Sequence, residues 1–193
     1  MREDRGPGGR PAVFIDRDGT LIEETGYLSR LDRLVVFPYA VDAVRLLNRG
    51  GFAVVIITNQ AGLAKGLFEE AFLTEVHGVI EERLRAGGAL VDGFFYCPHH
   101  PQGIVEHLRV ECDCRKPRPG LITRAARELN LDLARSFVVG DRVKDVQAGQ
   151  AVGARTLLVR TGGGAEESTW AANTADATVD TLIAAAAWIL QRA

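Results

Sequence analysis

Short apolar runs recur along the chain, each closed by a turn or polar residue: Ala12–Ile15, Ala53–Ile57, Gly93–Tyr96, Phe137–Val139 and Thr156–Val159. They are rich in Val, Ile and Phe and do not alternate strictly with polar residues. That is the pattern of strands covered on both faces, and hence of a parallel sheet. Helical spacing fills most of the gaps. Val41, Val44, Leu46 and Leu47 mark a helix that Gly50 and Gly51 end, and Phe72, Val76, Val79, Ile80 and Leu84 mark a second, stopped at Gly87 and Gly88. Further helices are expected over about Leu121–Leu129, Val143–Ala151 and Leu182–Leu190. Strands alternating with helices predict a layered α/β fold, whose ligands bind beyond the C-terminal strand ends. The run Gly162–Gly164 reads as a flexible turn rather than a phosphate loop, because no helix cap follows it.

A chain of 193 residues suits one domain with its own core. Met1–Arg10 is charged and Gly-rich, so residues 1–10 are expected to be a disordered tail and 11–193 a single domain. With 47% hydrophobic and 25% charged residues and a net charge of −2, the composition is that of an ordinary soluble protein and offers nothing to nucleic acid. No apolar run approaches the roughly 20 residues that span a bilayer, and the N-terminus lacks the apolar core of a signal peptide. The expected location is the cytoplasm, and nothing demands more than a monomer. Three cysteines, Cys97, Cys112 and Cys114, are an odd number and argue against a disulfide framework.

The chemistry gathers at four predicted strand ends. The first strand ends in Asp16-Arg17-Asp18-Gly19-Thr20. Carboxylates directly after a buried run are costly unless paired or bound to metal. Asp16 and Asp18 offer a nucleophile and a proton donor, and both suit Mg²⁺, a hard ion that prefers oxygen ligands. The second strand ends in Thr58-Asn59-Gln60, with the Thr58 hydroxyl where a phosphate oxygen would lie. Arg115-Lys116-Pro117 places a compact positive charge, Lys116, at the third piece. The fourth strand ends in Gly140-Asp141-Arg142, where Asp141 could complete a metal site, cap the following helix or do both, and Asp145, one helical turn on, could anchor the loop through backbone donors.

The order Asp-x-Asp-Gly-Thr, Thr, Lys, Gly-Asp-x-x-x-Asp resembles the haloacid-dehalogenase superfamily of aspartate-nucleophile phosphatases, over roughly Val13 to Gly162. The resemblance implies a three-layer, Rossmann-like parallel sheet without a cap domain. It implies that Asp16 attacks phosphorus and becomes an aspartyl-phosphate. Asp18 then protonates the leaving oxygen and later takes a proton from water. Mg²⁺ is held by Asp16, the main-chain carbonyl of Asp18, and Asp141, while Thr58 and Lys116 stabilise the transferring group.

Cys97-Pro98-His99 and Cys112-Asp113-Cys114 add three thiols and an imidazole, a complete tetrahedral set for structural Zn²⁺. His100 competes with His99, but His99 mirrors the Cys-x-Cys spacing and matches the family pattern. His77 and His107 have no constellation around them and read as surface or helix residues. Within the superfamily, a Cys-x-His … Cys-x-Cys-Arg-Lys-Pro loop resembles the subgroup of heptose bisphosphate and histidinol-phosphate phosphatases. The twelve residues between His99 and Cys112, together with Glu24-Thr25-Gly26-Tyr27, favour the heptose enzymes. The resemblance then implies a phosphorylated sugar substrate, D-glycero-D-manno-heptose 1,7-bisphosphate. It would lose its C7 phosphate on the way to nucleotide-activated heptose for lipopolysaccharide. The expected substrate contacts are Arg17, Glu24, Thr25, Gly26, Tyr27, Asn59, Gln60, Ala61, Arg115 and Arg142, with Arg115 on the distal phosphate or the sugar hydroxyls. Ala61 stands where many relatives have Ser. Alternative readings are a histidinol-phosphate phosphatase, a zinc-binding interaction module without activity, and an enzyme of polynucleotide ends.

Overall fold

The computed structural model describes residues 9–171 and 174–192. Six parallel strands form one sheet in the order β3-β2-β1-β4-β5-β6. They are β1 (Arg10–Asp16), β2 (Ala53–Asn59), β3 (Gly93–Cys97), β4 (Leu131–Gly140), β5 (Arg155–Val159) and β6 (Ala177–Val179). Successive side chains of a strand point to opposite faces, so strands that are apolar throughout need cover on both. On one face Val13, Ile15, Val54, Ile56, Val139 and Leu157 meet the apolar stripes of α1 (Ala40–Arg49), α3 (Glu70–Ala86) and α7 (Leu182–Leu190). On the other, Phe14, Val55, Ile57 and Val138 meet α4 (Gly120–Leu129) and α5 (Val143–Gln150) through Leu121, Ile122, Ala125 and Ala148. The alternation is strict, and each such buried side chain contributes about 1.5–3 kcal/mol. This core makes the strand ends a rigid platform.

The three-layer α/β architecture predicted from the sequence is the one observed. The five predicted strands and five predicted helices are all present. Besides the short 3-10 turns Leu31–Arg33 and Glu106–Leu108, three elements carry no periodic signal in the sequence: β6, a half-buried edge strand of three residues, and the helices α2 (Ala61–Ala64) and α6 (Gly164–Ala171). Strand β4 starts six residues ahead of its apolar run, at Leu131, because Leu131–Arg135 is partly exposed and its pairing with β1 shifts register between Pro11 and Val13. Two expectations are corrected. Arg10 is not part of a tail: it opens β1, and its guanidinium donates to Gly51 O and Phe52 O and pairs with Asp92 at 3.0 Å. Met1–Gly8 lie outside the described residues. The glycine run Gly162–Gly164 does lead directly into a helix, since α6 begins at Gly164.

Strand β1 has β2 on one side and β4 on the other, so the chain leaves β1 and β4 in opposite directions. A crevice opens between their C-terminal ends, where open α/β sheets bind ligands. Among the described residues no separate domain lies over it, and no helix is long and apolar enough to cross a membrane.

Candidate active site

Asp16 closes β1 and Asp141 follows β4, so neighbouring parallel strands carry two carboxylates to the crevice. Asp145, in the first turn of α5, joins them: oxygens of Asp16, Asp141 and Asp145 all lie within 4.8 Å of one another. All three side chains are buried. Burial pushes the Asp16 carboxyl well above the usual range; Lys116 opposes this, while Asp145, Asp141 and Asp18 add to it. Burial likewise raises Asp141, to about 6, against the Gly163 N–H and with help from Asp145. Burial alone would lower the Lys116 ammonium, but the carboxylates of Asp145 and Asp16 outweigh it and hold it above its ordinary value.

Lys116 is 3% exposed and reaches through the interior to Asp16, to Ile57 O at 3.1 Å and to Asp145 Oδ1 at 2.7 Å. The Asp145 contact is an ion pair without hydrogen-bond geometry, since that oxygen has no hydrogen-bond partner. Its other oxygen accepts the Arg142 N–H at 3.0 Å, which is the backbone anchoring expected from the sequence. With a cation on one oxygen and an amide on the other, Asp145 supports the loop. Asp141 differs. Its Oδ2 accepts the Gly163 N–H at 2.8 Å, but its buried Oδ1 has no partner. An orphaned carboxylate oxygen facing further carboxylates fits a hard divalent cation.

Glycines make this approach possible. Gly19 and Gly162 both have positive φ, +83° and +56°, and a Cβ on either would lie 2.4 or 2.3 Å from Asp141 Oδ2. The glycine run after β5 therefore serves as a close wall for Asp141, fixed by Thr161 Oγ1 donating to Gly19 O at 2.6 Å. The glycines were visible in the sequence; their shared neighbour was not.

A cleft of about 430 Å³ lies over these groups, of the size that holds a small ligand. Its lining includes Asp16, Arg17, Asp18, Glu24, Gly26, Tyr27, Thr58, Asn59, Gln60, Ala61, Arg115, Asp141 and Arg142, all expected from the sequence, with Leu28 and Lys144 added. Thr25 and Lys116 are outside that lining. Several side chains, however, are turned away from the role expected of them. The Arg17 side chain is 2% exposed and forks onto Asp18 at 2.8 Å. Gln60 donates to Asp18 Oδ2 at 2.9 Å and to Thr58 Oγ1 at 2.8 Å, while Thr58 Oγ1 donates to Asp18 Oδ2 at 3.1 Å. Asn59 gives its amide to the main chain of Lys116, donating to Lys116 O and accepting from Lys116 N, both at 3.0 Å. This one-donor, one-acceptor match also fixes which way round the amide lies. At the rim, Arg115 donates to His99 O at 3.2 Å and Arg142 pairs with Asp141 and Glu167, both at 3.4 Å. Glu24 accepts the Gly26 N–H, and Tyr27, 42% exposed, takes the Lys65 ammonium on its hydroxyl.

The cysteine cluster closes as predicted. Cys97 ends β3, beside Asn59 of β2 in register. Cys97 Sγ stands 3.5 Å from Cys112 Sγ and 3.8 Å from His99 Nδ1, Cys112 Sγ 3.2 Å from Cys114 Sγ, and His99 Nδ1 3.4 Å from Cys114 Sγ. Zinc bonds of about 2.3 Å to sulfur and about 2.0 Å to nitrogen give a tetrahedron with edges of roughly 3.5–3.8 Å. The four atoms therefore offer the donor chemistry of a zinc site, at separations of 3.2–3.8 Å that lie close to that size. His100 is not in the cluster; its Nδ1 accepts the Gln102 N–H. His107 is exposed, as expected. His77 lies in a helix, one of the two places expected of it, but on the inner face: it is 9% exposed, stacked on Phe94 and 3.5 Å from Arg17. The apolar spacing Leu73, Val76, Ile80, Leu84 already places position 77 on the inner face of α3.

The chain is similar to known proteins. The chain is 44% identical over 153 residues to the D-glycero-beta-D-manno-heptose-1,7-bisphosphate 7-phosphatase of Escherichia coli K12, covering 79% of this chain and 80% of that one. It is 40% identical over 154 residues to the protein of that name in Pasteurella multocida, covering 79% and 83%. A family model described as "HAD-hyrolase-like" matches residues 113–185. Among solved structures, the D,D-heptose 1,7-bisphosphate phosphatase of B. bronchiseptica, complexed with magnesium and phosphate, superposes with a TM-score of 0.85 at 33% identity, covering 95% of this chain and 99% of that one.

Proposed function

Because the chain belongs to the haloacid-dehalogenase-type family of D-glycero-β-D-manno-heptose-1,7-bisphosphate 7-phosphatases, we propose that it hydrolyses D-glycero-D-manno-heptose 1,7-bisphosphate at C7, supplying a precursor of nucleotide-activated heptose. The observation that carries this reading is the convergence of Asp16, Asp18, Thr58 and Asp141 on one cleft, with Lys116 paired to Asp16 beneath it and Arg115 and Arg142 at its rim. A zinc-binding module without catalysis would have no use for that convergence.

Asp16 is the nucleophile. It forms a bond to phosphorus as the bond from phosphorus to the C7 oxygen breaks. Lys116, tied to both Asp16 and Asp145, holds the nucleophile in line and offsets charge on the transferring group. Asp18, poised by Thr58, Gln60 and Arg17, gives its proton to the departing oxygen. It then takes a proton from the water that releases phosphate from Asp16. Asp16, Asp141 and the main-chain carbonyl of Asp18 would hold Mg²⁺, which supplies Lewis-acid neutralisation of phosphoryl charge. Arg115 and Arg142, with Lys144, give the cleft the cationic rim that a second phosphate requires. Zn²⁺ on Cys97, His99, Cys112 and Cys114 is structural: all four positions are protein ligands, and the Arg115 bond to His99 O links the zinc loop to the rim. The whole described chain acts as one catalytic domain.

The test is kcat/KM for phosphate release from both C1 anomers of the bisphosphate and from histidinol phosphate, with Mg²⁺ present. A bisphosphate anomer is expected to be preferred tenfold or more, about 1.4 kcal/mol of differential transition-state binding. A preference for histidinol phosphate would keep the chemistry and overturn the substrate. Asp16→Asn abolishes turnover with fold and zinc content intact; undiminished activity in that variant would remove the mechanism.

A further inference from the structure

Arg17 is a buried cation that the reaction above uses only through Asp18. Its guanidinium has two sides. Nε and one terminal nitrogen fork onto Asp18, at 3.2 Å to each oxygen and 2.8 Å to Oδ1. The other terminal nitrogen meets His77 Nε2 at 3.5 Å. His77 comes from α3, and its ring lies on Phe94 of β3 with centroids 4.7 Å apart and planes 20° apart. Burial, with the Arg17 charge adding, pushes the imidazole down to about 3, so it stays neutral and accepts from the arginine. Few lone acceptors are buried this deeply without a purpose, and neither α3 nor β3 needs a polar group at this point.

We propose that Arg17 and His77 form a positioning pair that fixes the direction of the Asp18 carboxyl for its proton transfers. The proposal rests on the reading of Asp18 as the acid and base. His77, held by its helix and by Phe94, sets where the guanidinium lies. The planar fork then sets the carboxyl plane, which a point charge would leave free to turn. Thr58 and Gln60 hold Asp18 Oδ2, so Arg17 supplies the short contact to Oδ1. The proton itself passes from Asp18 to the leaving oxygen as the phosphorus–oxygen bond breaks. Neither Arg17 nor His77 gains or loses one.

A positioning role predicts a loss that depends on the leaving group. p-Nitrophenolate departs without a proton, whereas phenolate needs one. In His77→Phe, which keeps a ring on Phe94 and removes the acceptor, kcat/KM is expected to fall about tenfold further on phenyl phosphate than on p-nitrophenyl phosphate. That is a modest part of the roughly 10²–10⁴ that acid–base catalysis supplies. Arg17→Met repeats the pattern, and His77→Gln, which keeps an acceptor, restores most of the phenyl phosphate rate. Equal losses on the two esters, or no loss, would overturn the proposal. Should His77→Phe fail to fold, Arg17→Met decides by the same comparison. Asp18→Asn is the reference: if it too loses equally on both esters, the reading of Asp18 fails. If it discriminates while His77→Phe and Arg17→Met do not, only the positioning pair fails.

Discussion

Replacing Asn59 by Ala separates two roles that the sequence alone would confuse. From its place at the end of β2 the side chain is expected to touch substrate. In the structure its amide is spent on Lys116, with one bond to the carbonyl and one from the N–H, each 3.0 Å. Removing both leaves two main-chain groups to be rehydrated at the edge of the cleft. Each net bond is worth about 1 kcal/mol, and each unsatisfied group adds to that where water cannot reach it, so the loss is about 2–3 kcal/mol of folding stability. The same bonds fix the base of the Lys116 side chain, whose ammonium must stay on Asp16 and Asp145. A displacement of about 1 Å at a reacting group can cost on the order of a hundredfold in rate, so kcat should fall between ten- and a hundredfold with KM little changed. Urea unfolding gives the stability, and steady-state kinetics on the bisphosphate at saturating Mg²⁺ gives the split. An unchanged unfolding midpoint with a KM raised tenfold would show that Asn59 is a substrate contact and that the clamp argument is wrong.

Three further outcomes are expected. Cys112→Ser should lower zinc content by elemental analysis from about one ion per chain to near none, and should depress activity through the Arg115 rim as well as the melting temperature; full zinc occupancy would refute the ligand set. Asp141→Asn should raise the Mg²⁺ concentration for half-maximal activity by at least tenfold, with zinc content unaltered; an unshifted Mg²⁺ titration would exclude Asp141 as a ligand. His77 makes stability depend on pH. Its folded pKa lies near 3, below the unfolded value near 6.5, so the unfolded chain binds the extra proton and stability falls as pH drops below 6.5. Relative to His77→Gln, the wild type should lose about 2 kcal/mol between pH 8 and pH 5; parallel curves in chemical denaturation would mean that the imidazole is not buried neutral.

The strands and helices with an apolar signature were legible because burial on two faces, or along one stripe, dictates their composition. Strand β6 and helix α6 were not, since a three-residue half-buried edge and a helix opening on glycine carry no such signature. The site residues were legible as positions, because strand ends fix where Asp16, Thr58 and Asp141 emerge. Their partners were less so. Nothing in the order Asp-Arg-Asp says that Arg17 turns inward to His77, or that Asn59 and Gln60 serve Lys116 and Asp18 before any substrate, since a long side chain is directed by neighbours distant in sequence. The cysteine and histidine cluster lies at the opposite extreme: local spacing and donor type picked out Cys97, His99, Cys112 and Cys114, and the structure brings the same four together.

The buried cluster beneath the cleft sets three carboxylates against the Lys116 ammonium and, at Asp141, the part-exposed Arg142 guanidinium, which leaves a deficit of positive charge when all three are ionised. A phosphate dianion arriving first would meet that deficit as repulsion from the nucleophile it must approach. A divalent ion arriving first would offset that deficit and favour the ionised carboxylates. The charge balance therefore favours loading the metal before the sugar phosphate.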